Sequence, residues 1–202
     1  IINFWDSISA TKISNAVENY SGGLLRAPVR KSAFWSFRDQ DSRKLVSVKG
    51  AYTESEGVFT LAGCYINKFP GVMDAGSRKI ADDYIVYRYA DLLLMLAEAK
   101  SILGENPATE INLIRQRAYG ANYSEALWGY PNQPADTDKN EAILRERFLE
   151  FLGEGKRWYD LCRFGESYVF KYTTATEDYQ LLWPIDKNTL TNNRLLDQTP
   201  GY

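Results

Sequence analysis

Residues 145–163 read RERFLEFLGEGKRWYDLCR. Acids and bases alternate here at spacings of three and four, the separation at which side chains meet on a helix. Gly153 and Gly155 break the run into two helical pieces. The pattern predicts an ion network of Glu146, Arg147, Glu150, Glu154, Arg157, Asp160 and Arg163 at a helix bend, with Glu150 and Arg157 turned inward across it. Paired carboxylates are also what glycoside hydrolysis requires. Acids so closely matched by arginines, however, have lowered pKa values and make poor general acids. A structural network is the preferred reading.

Working upstream, Asp138 and Glu141 form a capping-box start for a helix whose buried stripe is expected to be Leu144, Phe148, Phe151 and Leu152. Before it lies a Gly/Pro/Asn-rich loop, 120–138. Tyr89, Leu92, Leu93, Leu96, Ala99 and Leu103 recur at helical spacing, and Gly104 stops that helix. Asn106-Pro107 opens another, with Ile111, Leu113, Ile114 and Ala118 on its inner side and Gly120 at its end. The pair is a helical hairpin of tetratricopeptide-like length. Such a hairpin buries both faces only against neighbours, so a companion segment is expected.

Residues 1–80 read as irregular and loop-rich, with short strands at Leu45–Val48 and Val58–Leu61. Downstream, Lys156–Phe164 reads as a short helix and Leu181–Ile185 as an extended segment.

Composition removes several function classes. The 202 residues carry a net charge of −2 with no basic stripe, so nucleic acid is not an expected partner. There is no histidine, which excludes Ser-His triads and His-containing zinc sites within the chain. Cys64 and Cys162 form no CxxC pair. Asp136-Thr137-Asp138 imitates the start of an EF-hand loop but places Glu141 at the sixth position and Arg147 at the twelfth. Gly153-Glu154-Gly155-Lys156 lacks the upstream glycine and the Ser/Thr of a P-loop. No metal or cofactor is expected. The longest apolar run, Leu92–Ala97, is too short to span a bilayer. The chain opens Ile1-Ile2-Asn3-Phe4-Trp5 without a methionine, and an N-terminal portion is expected to precede it.

Aromatics make up 14% of the chain, with five tryptophans. Trp158 and Trp183 read as core. Flat aromatics on loops, beside amide, carboxylate or guanidinium groups, are what a sugar-binding surface needs. Two regions qualify: Trp5 and Asp6 with Trp35 and Arg38, and the 120–138 loop with Tyr123, Trp128, Tyr130 and Asn132. The first is preferred, led by Trp5.

Five stretches together resemble the SusD/RagB family. Asp41-Ser42-Arg43 is similar to its D-x-R element. Arg88-Tyr89-Ala90-Asp91 through Ala97-Glu98-Ala99 is similar to its RYAE-type helix, and Leu113-Ile114-Arg115-Gln116-Arg117-Ala118 to its next helix. The 146–163 run and the ending Leu182-Trp183-Pro184-Ile185…Gln198-Thr199-Pro200-Gly201-Tyr202 complete the set in order. Lys156 stands where that family usually has His, Asp186 where it has a second Pro, and Thr199 where it has Asn.

The resemblance implies a mainly α, SusD-like fold with tetratricopeptide-like hairpins, irregular loop-rich regions and a few short strands. Residues 81–202 would be its helical C-terminal region, 1–80 a variable region, and the family's N-terminal half would lie outside this chain. It further implies non-catalytic capture of glycans or another nutrient at the outer-membrane surface of Bacteroidetes. The protein would be lipid-anchored through the absent N-terminus and would deliver its cargo to a SusC-like TonB-dependent transporter. The alternative is a helical-repeat scaffold that docks only proteins.

Overall fold

The computed structural model describes residues 13–14, 28–56 and 58–202. Trp5 and Asp6 lie outside the described residues. The chain divides into two compact units, Ile1–Glu154 and Gly155–Tyr202, so the boundary expected near residue 80 falls inside the first.

The first unit opens with strand β1 (Ile13–Ser14) and two short helices, α1 (Lys31–Trp35) and α2 (Arg43–Ser47). Two strands follow, β2 (Val48–Ser55) and β3 (Val58–Ile66), in an antiparallel sheet of order β1-β2-β3. The strand expected at Leu45–Val48 is helical up to Ser47. Its backbone is held by local and tertiary bonds rather than by β propensity: Asp41 Oδ1 accepts from the Arg43 amide at 3.0 Å, and Ser42 Oγ donates to the Ala118 carbonyl at 2.8 Å. The strand expected at Val58–Leu61 is present and runs on to Ile66. Between Ala51 and Tyr52 the register slips, because Ala51 pairs with Gly63 and Tyr52 with Leu61. The extra residue shifts the alternation, so Leu61 and Cys64, three apart, are both buried. Residues 72–79 add a small hairpin, β4 (Val72–Asp74) with β5 (Ser77–Lys79).

Three helices form the rest: α3 (Tyr89–Ile102), α4 (Ala108–Tyr119) and α6 (Lys139–Glu150), with the short α5 (Glu125–Trp128) in the loop before α6. As read from the sequence, α3 ends at Gly104, whose φ is 78°, and Asp138 caps α6 by accepting from the Glu141 amide at 2.9 Å. α3 packs on both α4 and α6 through Ala90, Leu94, Ile114 and Phe151. A second cluster, including Phe34, Phe37, Val48, Leu61, Cys64 and Leu149, joins the sheet to α6. Gly153 has a φ of 84° and lies where a Cβ would come within 2.8 Å of the Ile66 side chain, so only glycine fits that bend.

Two expected stripes are corrected. On α3 the buried residues are Ala90, Leu94 and Ala97, while Tyr89, Leu92 and Leu96 are exposed. The exposed positions of the helix are apolar too, and the face that packs on α4 and α6 is the one with the small alanines, which allow close approach. On α4, Leu113 is exposed, because the inner face is occupied by Asn112 and Arg115, which hold the following loop.

In the second unit, α7 (Arg157–Phe164) packs on α8 (Glu166–Tyr172), and α9 (Lys187–Asn192) precedes the tail. Gln198 Oε1 accepts from the Ile185 amide and its Nε2 donates to the Ile185 carbonyl, at 2.8 and 3.0 Å. Tyr202 donates its hydroxyl to the Leu182 carbonyl at 3.0 Å. Gly201, at φ 101°, lies against the Tyr179 ring, where any Cβ would collide. This explains why the Leu-Trp-Pro-Ile and Gln-Thr-Pro-Gly-Tyr segments occur as a pair. Trp158 is half-buried, but Trp183, expected in the core, is 76% exposed: Thr199 Oγ1 bonds its carbonyl at 3.1 Å, so the backbone rather than the ring is what the tail grips.

Leu94 and Leu92 separate the two faces of α3. Leu94→Ala is expected to cost about 2–5 kcal/mol. Leu92→Ala in the 202-residue chain is expected to stay within about 0.5 kcal/mol. Thermal melts of both variants check this, and equal losses would mean the faces are misassigned.

Candidate functional site

The residues of 146–154 that the sequence singled out meet partners from distant segments. Glu146 accepts from Arg43 at 2.9 Å and from Arg115 at 2.7 Å. Glu150 accepts from Arg43 at 3.2 Å and also from Arg88 and Arg117. Glu154 accepts from Arg88 at 2.8 Å and Lys68 at 2.5 Å. Asp41 closes on Arg43 at 2.7 Å, and Asp136 takes both ends of the Arg115 guanidinium at 2.7 Å. The cations Arg43, Lys68, Arg88, Arg115 and Arg117 thus face the carboxylates of Asp41, Asp136, Glu146, Glu150 and Glu154, one for one.

That balance decides the chemistry. Burial by itself raises the Glu150 carboxyl, but the charges of Arg43, Arg117 and Arg88 outweigh it and hold its pKa at about 2. Glu146 is also held low: burial opposes, and Arg43 and Arg115 prevail. Glu154 follows the same pattern, with Arg88 and Lys68 overcoming burial. None is placed to give up a proton near neutrality. A cavity of about 310 Å³ opens beside Arg43, Lys68, Arg88 and Glu150, and its charged walls are already paired.

Other members of the predicted network fall elsewhere. Arg147 stands 3.8 Å from Asp91, with its guanidinium 4.9 Å from the Phe151 ring centre. Arg157, Asp160 and Arg163 belong to the second unit. There Arg163 bonds Asp160 at 3.0 Å, and the Arg157 guanidinium lies 4.9 Å from the Tyr172 ring centre. Glu150 draws on Arg43, Arg88 and Arg117, none of which the sequence reading connected to it.

One residue from each of the two aromatic regions named from sequence meets the other. The Arg38 guanidinium lies 5.6 Å from the Trp128 ring centre, within cation–π range. Trp128 stacks on buried Tyr119 at 4.8 Å and 10°, and its indole N–H donates to the Asn122 carbonyl at 3.0 Å. Arg115 fixes the base of this loop through the Trp128 carbonyl at 3.0 Å and Asp136. The Tyr130 amide donates to Asn112 Oδ1 at 2.7 Å, and Asn132 Nδ2 donates to the Glu125 carbonyl at 2.9 Å. Tyr123 donates to Glu125; partial burial and then that carboxylate push its phenol to about 12. Trp35, three residues before Arg38, is 60% exposed. It meets Phe34 edge-on at 5.0 Å, with the Lys44 ammonium 5.3 Å from its ring centre. Trp128 is thus braced by its neighbours, whereas Trp35 is largely exposed.

Comparison with known proteins now adds to the geometry. The sequence profile of the SusD family matches residues 30–180. The chain belongs to the SusD family. Among solved structures, a SusD superfamily protein from Bacteroides vulgatus is 45% identical with a TM-score of 0.83; the match covers 89% of this chain and 42% of that one. Bacteroides fragilis NanU is 44% identical, again with a TM-score of 0.83, over 89% of this chain and 40% of its own. The SusD-like protein P38 of Formosa agariphila is 31% identical over 80% of this chain and 32% of its own length. This SusD-family chain therefore spans well under half of the relatives it matches. A surface glycan-binding protein A from Bacteroides thetaiotaomicron, in complex with laminarihexaose, shares the fold at 20% identity and a TM-score of 0.66.

Two outcomes test the network. Arg115→Ala leaves Asp136 and Glu146 buried without their cation and is expected to cost about 3–5 kcal/mol, read from chemical denaturation. An unchanged midpoint would remove Arg115 as the anchor of the loop. The parent should also lose stability in acid. Carboxyls held below their ordinary range stabilise the fold above about pH 5, and that contribution disappears as pH falls toward about 2. Glu150 alone, moved from 4.5 to about 2, accounts for on the order of 3 kcal/mol.

Proposed function

We propose that the protein is a non-catalytic glycan-binding subunit of an outer-membrane nutrient-uptake system. It would hold oligosaccharide at the cell surface and pass it to a SusC-like TonB-dependent transporter. The observation that carries this reading is the Arg38–Trp128 contact on a SusD-family scaffold, with Trp35, three residues before Arg38, exposed. Sugar rings offer apolar C–H faces and polar rims, and open indole plus guanidinium and amide groups match both. Trp5 and Asp6 remain candidates for ligand contact. The starch-binding protein SusD of Bacteroides thetaiotaomicron, 29% identical over 59% of this chain, supports the ligand class. The acids that glycoside hydrolysis would need are committed to arginine pairs and held ionised, which supports binding without turnover. A lipid anchor would be carried by sequence that precedes this chain.

The test is calorimetric titration of a glycan panel against the full-length protein and its Trp5→Ala, Trp35→Ala and Trp128→Ala variants. Losing an open stacking residue should weaken binding about 3- to 10-fold with little change in melting temperature. Trp35→Ala is expected to show this. Trp128→Ala should lose stability as well, because its ring packs on Tyr119. A parent that binds no glycan, or that releases reducing ends from one, sinks the reading. If all three variants bind as the parent does, the ligand surface lies outside these residues.

A further inference from the structure

The cavity of about 310 Å³ lies within the first unit and has the size of a small-molecule site. Part of its wall is apolar: Val46 from α2, Phe69 beyond β3 and Ile85 before α3. Phe69 is backed by Tyr84, stacked at 6.3 Å and 25°, and the Tyr84 hydroxyl donates to the Glu154 carbonyl at 3.0 Å. The rest is ionic. Arg43, Lys68, Arg88 and Arg117 line the cavity against two carboxylates, Glu150 and Glu154. Asp41 and Glu146, which also pair with Arg43, are not part of the lining.

Each of these cations has a partner, yet the pairs leave donors over. Arg117 donates to Glu150 through Nη2 alone. Its Nε and Nη1 hold no hydrogen bond among the described residues, and its side chain is 55% exposed. Lys68 uses two of its three protons, on the Glu150 carbonyl and on Glu154. Ser47 also lines the cavity and is 1% exposed. Its carbonyl accepts from the Asn67 amide at 2.9 Å, but its hydroxyl has no partner among the described residues. A hydroxyl withdrawn from water normally has one.

We propose that this cavity binds a carboxylate carried on a body no larger than one sugar ring. A carboxylate takes N–H groups from a guanidinium and has lone pairs left for an ammonium and a hydroxyl. Val46, Phe69 and Ile85 would pack the carbon body. The surrounding network is already balanced one for one, so a single negative charge suits it better than a dianion facing Glu150 and Glu154. Burial lowers the Lys68 ammonium in spite of Glu154 and Glu150, and an incoming anion counters that. The lining shares no residue with the Arg38–Trp128 contact, so the inference does not depend on glycan binding there. The carboxylate can belong to a free acid or to an acidic residue at the end of a glycan.

The test titrates the full-length protein calorimetrically with glucuronate, glucose, glucose 6-sulfate and a disaccharide that ends in glucuronate. Glucuronate should bind about tenfold or more tightly than glucose, and more weakly as salt rises. Arg117→Gln should weaken it about tenfold, and Ser47→Ala about 3- to 10-fold. Ser47→Ala breaks no hydrogen bond, so its melting temperature should match the parent's. Glu150 keeps Arg43 and Arg88 when Arg117 is replaced, so that variant should fold as well. The proposal is overturned if glucose binds as tightly as glucuronate, or if neither glucuronate nor the disaccharide binds. It is also overturned if glucose 6-sulfate binds more tightly than glucuronate, or if both variants bind glucuronate as the parent does. The disaccharide separates the two sources: binding tighter than glucuronate assigns the site to the end of a glycan, and weaker binding assigns it to a free acid.

Discussion

The constraint on which the first unit depends is that three carboxylates on and just beyond α6, four residues apart, lie inside the protein. Glu146 and Glu150 are each 2% exposed and Glu154 5%. A carboxylate taken out of water costs several kcal/mol unless cations and hydrogen-bond donors replace the solvent. The surrounding elements are placed where they can do that. Arg43 comes from α2, Lys68 from the end of β3, Arg88 from the start of α3, and Arg115 and Arg117 from α4. Gains and costs of such pairs nearly cancel, so the network's role is to specify which segments meet rather than to add net stability. The apolar clusters on either side of α6 then supply the driving force.

The helices were legible because their signals are local. Gly104, the Asp138 cap and the 157–164 turn act on neighbouring residues, and each occurs where the sequence places it. The ion network was half legible. Its acids share one helical run, while Asp41, Arg43, Arg88, Arg115 and Asp136 are scattered, and pairing across long separations leaves no periodicity to read. One signal was present: three acids spaced four apart, Glu146, Glu150 and Glu154, fall on one side of the run. The α3 stripe misled for a physical reason. Periodicity reveals that a face is apolar but not what covers it, and the side of α3 that α4 and α6 cover is the one with Ala90, Leu94 and Ala97. Sequence named Arg38 and Trp128 as separate candidates, but nothing short of the fold joins them.

This arrangement separates a fixed frame from an adjustable surface. Arg115 grips the 120–138 loop at the Trp128 carbonyl and at Asp136, and Asn112 holds it at the Tyr130 amide. Between these anchors Gln133 is buried and bonds the Trp128 carbonyl and Arg145, so it belongs to the frame, while exposed Pro131 and Pro134 lie outside the ion pairs. A family that keeps its frame and changes its cargo would vary there and around Trp35.

The spread of the network also has a kinetic side. The cations on Glu150 lie 107, 62 and 33 residues away along the chain. A carboxylate that needs all of them has none until the chain has closed loops of every size, and each closure spends conformational entropy before the pairing returns any. Such non-local contacts slow the search for the native state. The β2–β3 hairpin and the α3–α4 pair form from neighbours and need not wait. Loop-closure cost therefore rises from the local pieces to the pairs that the acids of α6 make.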